Sequence, residues 1–583
     1  MMNNRQLADT FTLIGNLLEI KGEIIYKTLA YRKASESLMS LGREASEYWK
    51  EGKLEDIPGV GKAISEKIDE LLKTGKLEFL EKLKKEVPEE LAGWLAVPGL
   101  GPKKIAMIWK TLGITALSDL ESAAKDGKLR DMPGMGAKSE SAILEGIASL
   151  ARRSGRISIG RAYPLAQEII KTLKKVKGVV AAEPAGSLRR MRSTVGDLDI
   201  LVAAKDSAPV MDAVVNLPGV SRVLGKGEFK SSIEFTDGVR AQVWVHPPQE
   251  FGTALQYATG SKDHNVLLRQ LALDKGLSLS DHSFKKVKGG KDPSTGSGQE
   301  FFCSTEEEVY ETLGLQWVPP ELREGRDEVT LAKAKTLPKL IEVKDIKSNL
   351  HMHSNYSDGK SSMIDMAKAA IKRGLKVIVF SDHSVSLGVA NGLSIERHKQ
   401  QAAEIKKIQK QLGDEILILH SSEVEIKADG SLDYPDEFLA SLDLVVASLH
   451  SSLMQPREKI TERLLKAVNN PHVDIIGHPT GREIPNREGA DLDMEVILQA
   501  AAKSGVAMEM SASPYRLDLD DAHARRAKEL GVLLSINTDA HSEEDYDLLH
   551  YGVAIARRAG LTKNDVINTW SADKLVKWLK SRG

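Results

Sequence analysis

The chain has 583 residues, 41% hydrophobic and 28% charged, with a net charge of −1 and one cysteine, Cys303. That length makes about four domains of ordinary size. The apolar content excludes wholesale disorder, and a lone cysteine excludes an internal disulfide and fits a reducing cytoplasm. No basic-then-apolar leader opens the sequence and no apolar run reaches the ~18 residues of a membrane span, so a cytoplasmic protein without membrane contact is expected. The mean charge hides a split. Residues 1–350 carry 52 Lys and Arg against 48 Asp and Glu, and residues 351–583 carry 29 against 34. Of the 14 histidines, 11 lie in that second part. The front suits a polyanion and the back suits metal ligands.

The first 150 residues read as short amphipathic helices joined by Pro-Gly turns. One phrase recurs as Ile57-Pro58-Gly59-Val60-Gly61, Val97-Pro98-Gly99-Leu100-Gly101 and Met132-Pro133-Gly134-Met135-Gly136, each with a lysine close behind. Such a turn points the N–H groups of its glycines and of the next helix outward, where they hold a phosphate without reading bases. A single copy is equally well a tight helical corner. The repetition points to a nucleic-acid backbone, with Gly59, Gly61, Gly99, Gly101, Gly134 and Gly136 as contacts.

One more helix is expected over 160–177, then strands over 199–202, 232–235 and 241–245, with Asp237-Gly238 as a hairpin turn. The stretch 289–298 is a glycine-rich loop, and 326–346 reads as an interdomain linker. Beyond 347, apolar runs near 348–352, 377–380, 416–419, 444–448, 474–477, 507–510 and 532–536 alternate with helical stretches. They predict a parallel barrel of TIM type, one unit short, whose chemistry sits at the C-terminal strand ends.

Two motifs carry chemistry. Gly186-Ser187-Leu188-Arg189-Arg190 leads into Gly196-Asp197-Leu198-Asp199. Carboxylates at i and i+2 on a strand share one face, where they can hold two Mg²⁺ or Mn²⁺ ions for phosphoryl transfer. A Gly-Ser turn and an arginine suit a triphosphate, and the whole is a nucleotidyltransferase pattern. The second motif is distributed: His351, His353, Asp358, His383, Glu423, His450, His478, Asp539 and His541, nearly all just after a predicted strand. These are too many donors for one ion, and imidazole with carboxylate suits two or three ions of Zn²⁺, Mn²⁺ or Fe. His398, His420, His472, His523 and His550 fit no strand end and read as structural.

Residues 23–85, with Tyr31-Arg32-Lys33-Ala34, Ile57 through Lys62 and Thr74-Gly75-Lys76-Leu77, resemble the small N-terminal domain of family X DNA polymerases. The resemblance implies that Lys67 is the lysine that forms a Schiff base with an abasic sugar, and that Lys27 contacts phosphate. Glu66, Asp69 and Glu70 beside Lys67 would oppose its deprotonation. The match continues through Tyr257-Ala258-Thr259-Gly260-Ser261-Lys262-Asp263-His264-Asn265. It places Ser187 and Arg190 on the β/γ-phosphates, with Gly196 also at the substrate. It places Asp197 and Asp199 on the metals, Tyr257 and Gly260 on the sugar, and Asn265 at the base or minor-groove edge.

Two positions depart from that family. Gln242 stands where a third aspartate binds the catalytic metal and helps take the primer proton. Its carboxamide is neutral and cannot act as a base. Ala258 stands where many members have an aromatic that screens the sugar. Residues 347–583 resemble the PHP superfamily through HxH with a downstream Asp, DH, the Glu of Ser422-Glu423-Val424, LH, GHP and DAH. That implies a distorted (β/α)7 barrel with a trinuclear metal site giving 3′→5′ exonuclease, 3′-end cleaning and abasic-site endonuclease activities.

The order of motifs resembles a bacterial or archaeal family X polymerase with a C-terminal PHP domain. The fold class expected is multidomain α+β and α/β. Its domains would be a helical helix-hairpin-helix, lyase-like domain (1–88), a fingers-type helical domain (89–155) and a nucleotidyltransferase palm with mixed sheet (156–280). A thumb-type subdomain (281–325), the linker (326–346) and the barrel (347–583) would follow. The expected function is gap-filling synthesis, weakened by Gln242, joined to the barrel's nuclease. The alternative is a DNA 3′-phosphoesterase whose polymerase half mainly binds DNA. The implied partners are gapped or nicked duplex, primer-template and dNTPs, with the chain a monomer.

Overall fold

The computed structural model describes residues 2–39, 41, 43–97, 100–152, 156–286 and 300–582. Gly99 and the 289–298 loop lie outside them. The chain forms two compact units, Met1–Gly155 and Arg156–Gly583. No helix among the described residues is long and apolar enough to cross a membrane.

The first unit is helical around one core that includes Phe11, Ile14, Leu38, Ile68, Trp94, Ile105 and Ile143. Helix Lys62–Thr74 shows why. It buries Ile64, Ile68, Leu71 and Leu72, a stripe of helical spacing, and stops at Gly75 in the left-handed region. Gly59 and Gly134 have φ of +79° and +71°, which glycine adopts at little cost. Gly61 and Gly101 are the N-caps of Lys62–Thr74 and Pro102–Leu112, and neither helix start has a side-chain cap.

The second unit begins with a five-stranded mixed sheet in the order Val179–Pro184, Leu198–Ala204, Arg240–His246, Lys230–Phe235, Val220–Lys226. Leu198–Ala204 and Arg240–His246 run parallel, and Lys230–Phe235 returns antiparallel through the Asp237-Gly238 turn. Alternation along Leu198–Ala204 sends Leu198, Ile200, Val202 and Ala204 into the core with Ile169 and Leu173. Leu201 and Ala203 go to the opposite face with Phe251, Ala254 and Leu255. Period-2 geometry puts Asp199 on that second face. A smaller core around Phe284, Tyr310, Val318 and Leu322 follows. The stretch 326–346, expected as a linker, holds helix Glu328–Ala334, buries Ala332 and Ile341, and binds the barrel through Ile341 N–H to Leu561 O at 3.0 Å.

The barrel has seven parallel strands in chain order: Ser348–Asn349, Val377–Phe380, Leu417–Glu425, Leu444–Ser448, Ile475–Gly477, Ala507–Ser511 and Leu534–Asn537. First and last meet at a parallel bridge, Met352 to Ala540, and His353 N–H donates to Ala540 O at 2.8 Å. Ile378, Val445 and Met508 pack outward in the main core. Val377, Leu444, Val446, Ile475 and Ala507 pack with Ile567 and Leu575 of the C-terminal segment. Gly477 leaves the space its neighbours need. A Cβ there would lie 2.4 Å from Ser448 Oγ and 2.8 Å from Val446 Cγ1.

Candidate active sites

At the C-terminal strand ends the structure brings all nine distributed donors together, around Glu423. Glu423 Oε1 lies 2.8 Å from His478 Nε2 and 3.2 Å from His450 Nε2. Its Oε2 lies 2.9 Å from His383 Nδ1 and 3.3 Å from His351 Nε2. Asp539 Oδ1 is 3.0 Å from His353 Nε2, and Asp358 Oδ2 is 3.4 Å from His541 Nε2. The groups His351/Glu423/His478, His383/Glu423/His450, His351/His353/Asp539 and His353/Asp358/His383/His541 each hold their donor atoms within 4.8 Å of one another. They share residues, so ions held there would share ligands.

The donor set fits metal on a second ground. His351 Nε2, both nitrogens of His353, both oxygens of Glu423 and Asp539 Oδ1 are buried without a hydrogen-bond partner, a costly state unless an ion takes them. Although burial opposes it, His450, His351, His383 and His478 hold Glu423 well below the usual carboxylate range. Burial, then the His383 charge, pushes His353 down to about 4, so its ring is neutral near pH 7. His478 and Asp539 have φ of 26° and 52°, sparsely populated for side-chain-bearing residues and typical of functional strand ends.

Two residues that sequence reasoning missed orient these donors. Glu509 accepts from His351 Nδ1 at 2.9 Å and from the His478 N–H at 2.7 Å. Glu425 sits 2.7 Å from His450 Nδ1. Each carboxylate fixes its ring's tautomer and turns Nε2 toward Glu423. The available signal was an acid inside an apolar strand, Met508-Glu509-Met510. Asp382 accepts from Ser354 N–H and Oγ at 2.9 and 2.8 Å and holds the turn after His353.

In the palm-type sheet, Asp199 and Gln242 are direct partners across the parallel pair, and Gln242 Nε2 lies 3.4 Å from Asp197 Oδ2. Gln242 therefore occupies the position opposite the carboxylate pair. Asp237 is committed elsewhere, to Arg161 at 2.5 Å. Burial, then the Asp197 charge, pushes Asp199 up to about 6. Gly186 has φ +58°, and a Cβ there would lie 2.4 Å from Asp199 Oδ2. Arg190, Tyr257, Gly260 and Asn265 line one cavity of about 730 Å³. Ser187 and Gly196 lie outside its wall, Ser187 in the short helix Gly186–Arg189 and Gly196 on the bend before Asp197. Arg190 Nη1 donates to Thr259 O at 2.6 Å. Arg156 was also missed. It donates to Thr194 Oγ1 at 2.8 Å, and burial together with the Arg192 and Arg190 charges lowers its guanidinium.

In the helical unit, Lys67 Nζ and Lys27 Nζ lie 5.2 and 5.9 Å from the centre of the Phe79 ring. Two of the acids expected to oppose deprotonation of Lys67, Asp69 and Glu70, have other partners. Asp69 pairs with Lys73 at 2.8 Å, and Glu70 accepts from the Glu78 N–H at 2.7 Å. Added Cβ atoms at Gly61, Gly101 or Gly136 would meet nothing within 4 Å, so these turns are open.

Four family profiles match: Helix-hairpin-helix domain over residues 2–77, SAM-like Helix-hairpin-helix tandem over 94–149, DNA polymerase beta thumb over 254–324 and PHP domain over 349–513. Asp539 and His541 lie beyond the last of these and enter the cluster through barrel closure. DNA polymerase/3′-5′ exonuclease PolX of Bacillus subtilis (strain 168) is 38% identical over 99% of this chain and 100% of its own length. DNA polymerase lambda of Rattus norvegicus is 26% identical over 55% of this chain and 56% of its own. A probable phosphatase of Thermoanaerobacter sp. (strain X514) is 30% identical over 38% of this chain and 89% of its own. With polymerase-type carboxylates and a PHP barrel in one chain that matches such a relative end to end, this protein belongs to the family X DNA polymerases that carry a C-terminal PHP domain.

Proposed function

We propose that this chain is a DNA-repair enzyme that extends a primer across short gaps with its front half and removes 3′-terminal nucleotides and damaged 3′ ends with its barrel. It would also cleave abasic sites, and would act as a cytoplasmic monomer on gapped or nicked duplex with dNTPs. The carrying observation is the coexistence of the Asp197/Asp199 pair beside Arg190 with the Glu423-centred imidazole cluster.

Asp197 and Asp199 would hold Mg²⁺ or Mn²⁺, and the barrel donors would hold two or three ions of Zn²⁺, Mn²⁺ or Fe. Bound ions would supply Lewis acidity to phosphoryl oxygens at both centres. Arg190, with Arg156 and Arg192 near it, would bind the triphosphate, while Tyr257, Gly260 and Asn265 would seat the nucleotide against the cavity wall. Gln242 cannot accept the primer proton, so extension is slow. Ala258 leaves the sugar less screened, which weakens rejection of ribonucleotides. The Pro-Gly turns and Lys27 would hold the DNA backbone, with Lys67 placed for attack on an abasic sugar. In the barrel, Arg516 Nε lies 3.9 Å from Asp539 Oδ2, in position to meet a phosphate oxygen.

The test uses one labelled gapped duplex with Mg²⁺ and Mn²⁺. Asp197→Ala should abolish extension and spare shortening, and His351→Ala should do the reverse. Retention of both activities in both variants would overturn the assignment. Gln242 favours a second reading, a 3′-phosphoesterase whose polymerase half mainly holds DNA. Under that reading wild-type extension is absent and Asp199→Ala changes nothing.

A further inference from the structure

A second histidine-carboxylate cluster lies beside the palm cavity, on residues given no role above. His246 ends strand Arg240–His246, and Glu250 ends the turn Pro248–Glu250. His282 lies in the turn between strands Leu277–Leu279 and Phe284–Lys286. Donor atoms of these three residues all lie within 4.8 Å of one another. His282 Nδ1 is 2.9 Å from Glu250 Oε2, and His246 Nδ1 is 3.9 Å from that same oxygen. His246 Nδ1 is buried without a hydrogen-bond partner. The two imidazole centres are 5.2 Å apart.

We propose that His246, Glu250 and His282 bind a further divalent ion of the Zn²⁺ type, which clasps the 277–286 hairpin to the end of the palm sheet. Two imidazoles and one carboxylate, with a fourth position left to water, are an established Zn²⁺ donor set with bonds of about 2.0–2.2 Å. A tetrahedral ion with such bonds spaces its donors about 3.4 Å apart. The Glu250–His282 contact opens by about half an ångström and His246 closes by a similar amount, changes that side-chain rotation supplies.

The backbone is already set for this. Thr253 Oγ1 is 2.8 Å from the carbonyl oxygens of both Glu250 and His282, and Thr253 is fully buried. The second nitrogen of His282 lies 3.7 Å from Asp281 Oδ2, a charge contact longer than a hydrogen bond. Burial lowers the His246 pKa, which keeps that ring neutral. His246 and Asp281 also line the cavity that holds Tyr257, Gly260 and Asn265. The ion would therefore fix the hairpin at the wall of the nucleotide cavity.

The experiment uses the full chain stripped with chelator, dialysed against Zn²⁺ and analysed for metal per chain. It compares wild type with His282→Gln and with Glu250→Gln. His282 is half exposed, so its substitution spares the fold. Both variants should hold one equivalent fewer than wild type while barrel exonuclease activity is unchanged. Zn²⁺ should raise hydrogen-exchange protection of 277–286 in wild type and not in His282→Gln. Equal metal content in all three proteins, or no Zn²⁺ effect on 277–286 in wild type, would mean that Glu250 and His282 form only an ion pair and would overturn the proposal.

Discussion

Arg558, the last residue of the barrel helix Leu549–Arg558, donates through Nη1 to the backbone carbonyl of Arg190 at 2.7 Å. The same nitrogen meets Glu324 Oε1 at 2.8 Å, and Arg190 Nε meets that oxygen at 3.2 Å. Although burial opposes it, the Arg558, Arg190 and Arg192 charges hold Glu324 well below the usual carboxylate range. The barrel thus braces the arginine assigned to the triphosphate, through one shared carboxylate.

Arg558→Ala removes a buried guanidinium from half-buried Glu324 and Asp521, which keep Arg190, Arg192 and Arg326 as partners. Hydrogen bonds to charged groups are worth about 1.5–3 kcal/mol, so urea unfolding should show a loss of that order. Primer extension should also show a raised KM for dNTP as Arg190 loses its brace. A stability loss with KM unmoved would limit Arg558 to a structural role.

Gln242→Asp restores a carboxylate directly across from Asp199. General-base assistance contributes about 10²–10⁴-fold, so single-turnover extension with Mg²⁺ should rise at least to the lower end of that range. An unchanged rate would show that the amide is not what limits synthesis.

Glu509→Gln keeps the shape but weakens the hold on His351 and His478. Loss of such an outer carboxylate costs about 10–100-fold in metal affinity or activity. The expected result is that loss in exonuclease activity, with part of it rescued by added metal, and no change in primer extension.

His398 links barrel stability to pH. Tyr434 gives its hydroxyl proton to Leu393 O, so His398 Nε2 must carry the hydrogen that meets Tyr434 Oη at 3.2 Å. His398 Nδ1 is then the acceptor for His420 Nε2 at 3.3 Å, and both rings are neutral. Burial, then the repulsion His398 would meet from His420 if both rings were charged, pushes His398 from 6.5 down to about 3. The unfolded chain binds a proton below pH 6.5 that the folded chain refuses, so stability present above that pH is lost as pH falls. At pH 5 this single group accounts for about 2 kcal/mol. Urea midpoints measured from pH 7 to 5 should fall in wild type and fall less in His398→Gln.

The local periods and motifs were legible in the sequence. Asp197 and Asp199 share a face because a strand repeats every two residues. The apolar runs became the barrel strands because βα units with buried strands have few other ways to hide both faces. His351, His353, His383, Glu423, His450 and His478 were legible for the same reason, since each lies near or just after the end of a strand that faces the rim, Glu423 inside Leu417–Glu425 and the others beyond their strands.

Tertiary structure decided what touches what across long separations. Asp69 and Glu70 leave Lys67 because Lys73 and the Glu78 N–H compete for them. Glu509 faces His351 across the barrel, 158 positions away, and Arg558 reaches Arg190 across 368. Sequence spacing carries the direction of a side chain along its own strand or helix. It carries nothing about which distant group fills the low-dielectric space opposite, and there an unpaired charge must find its partner.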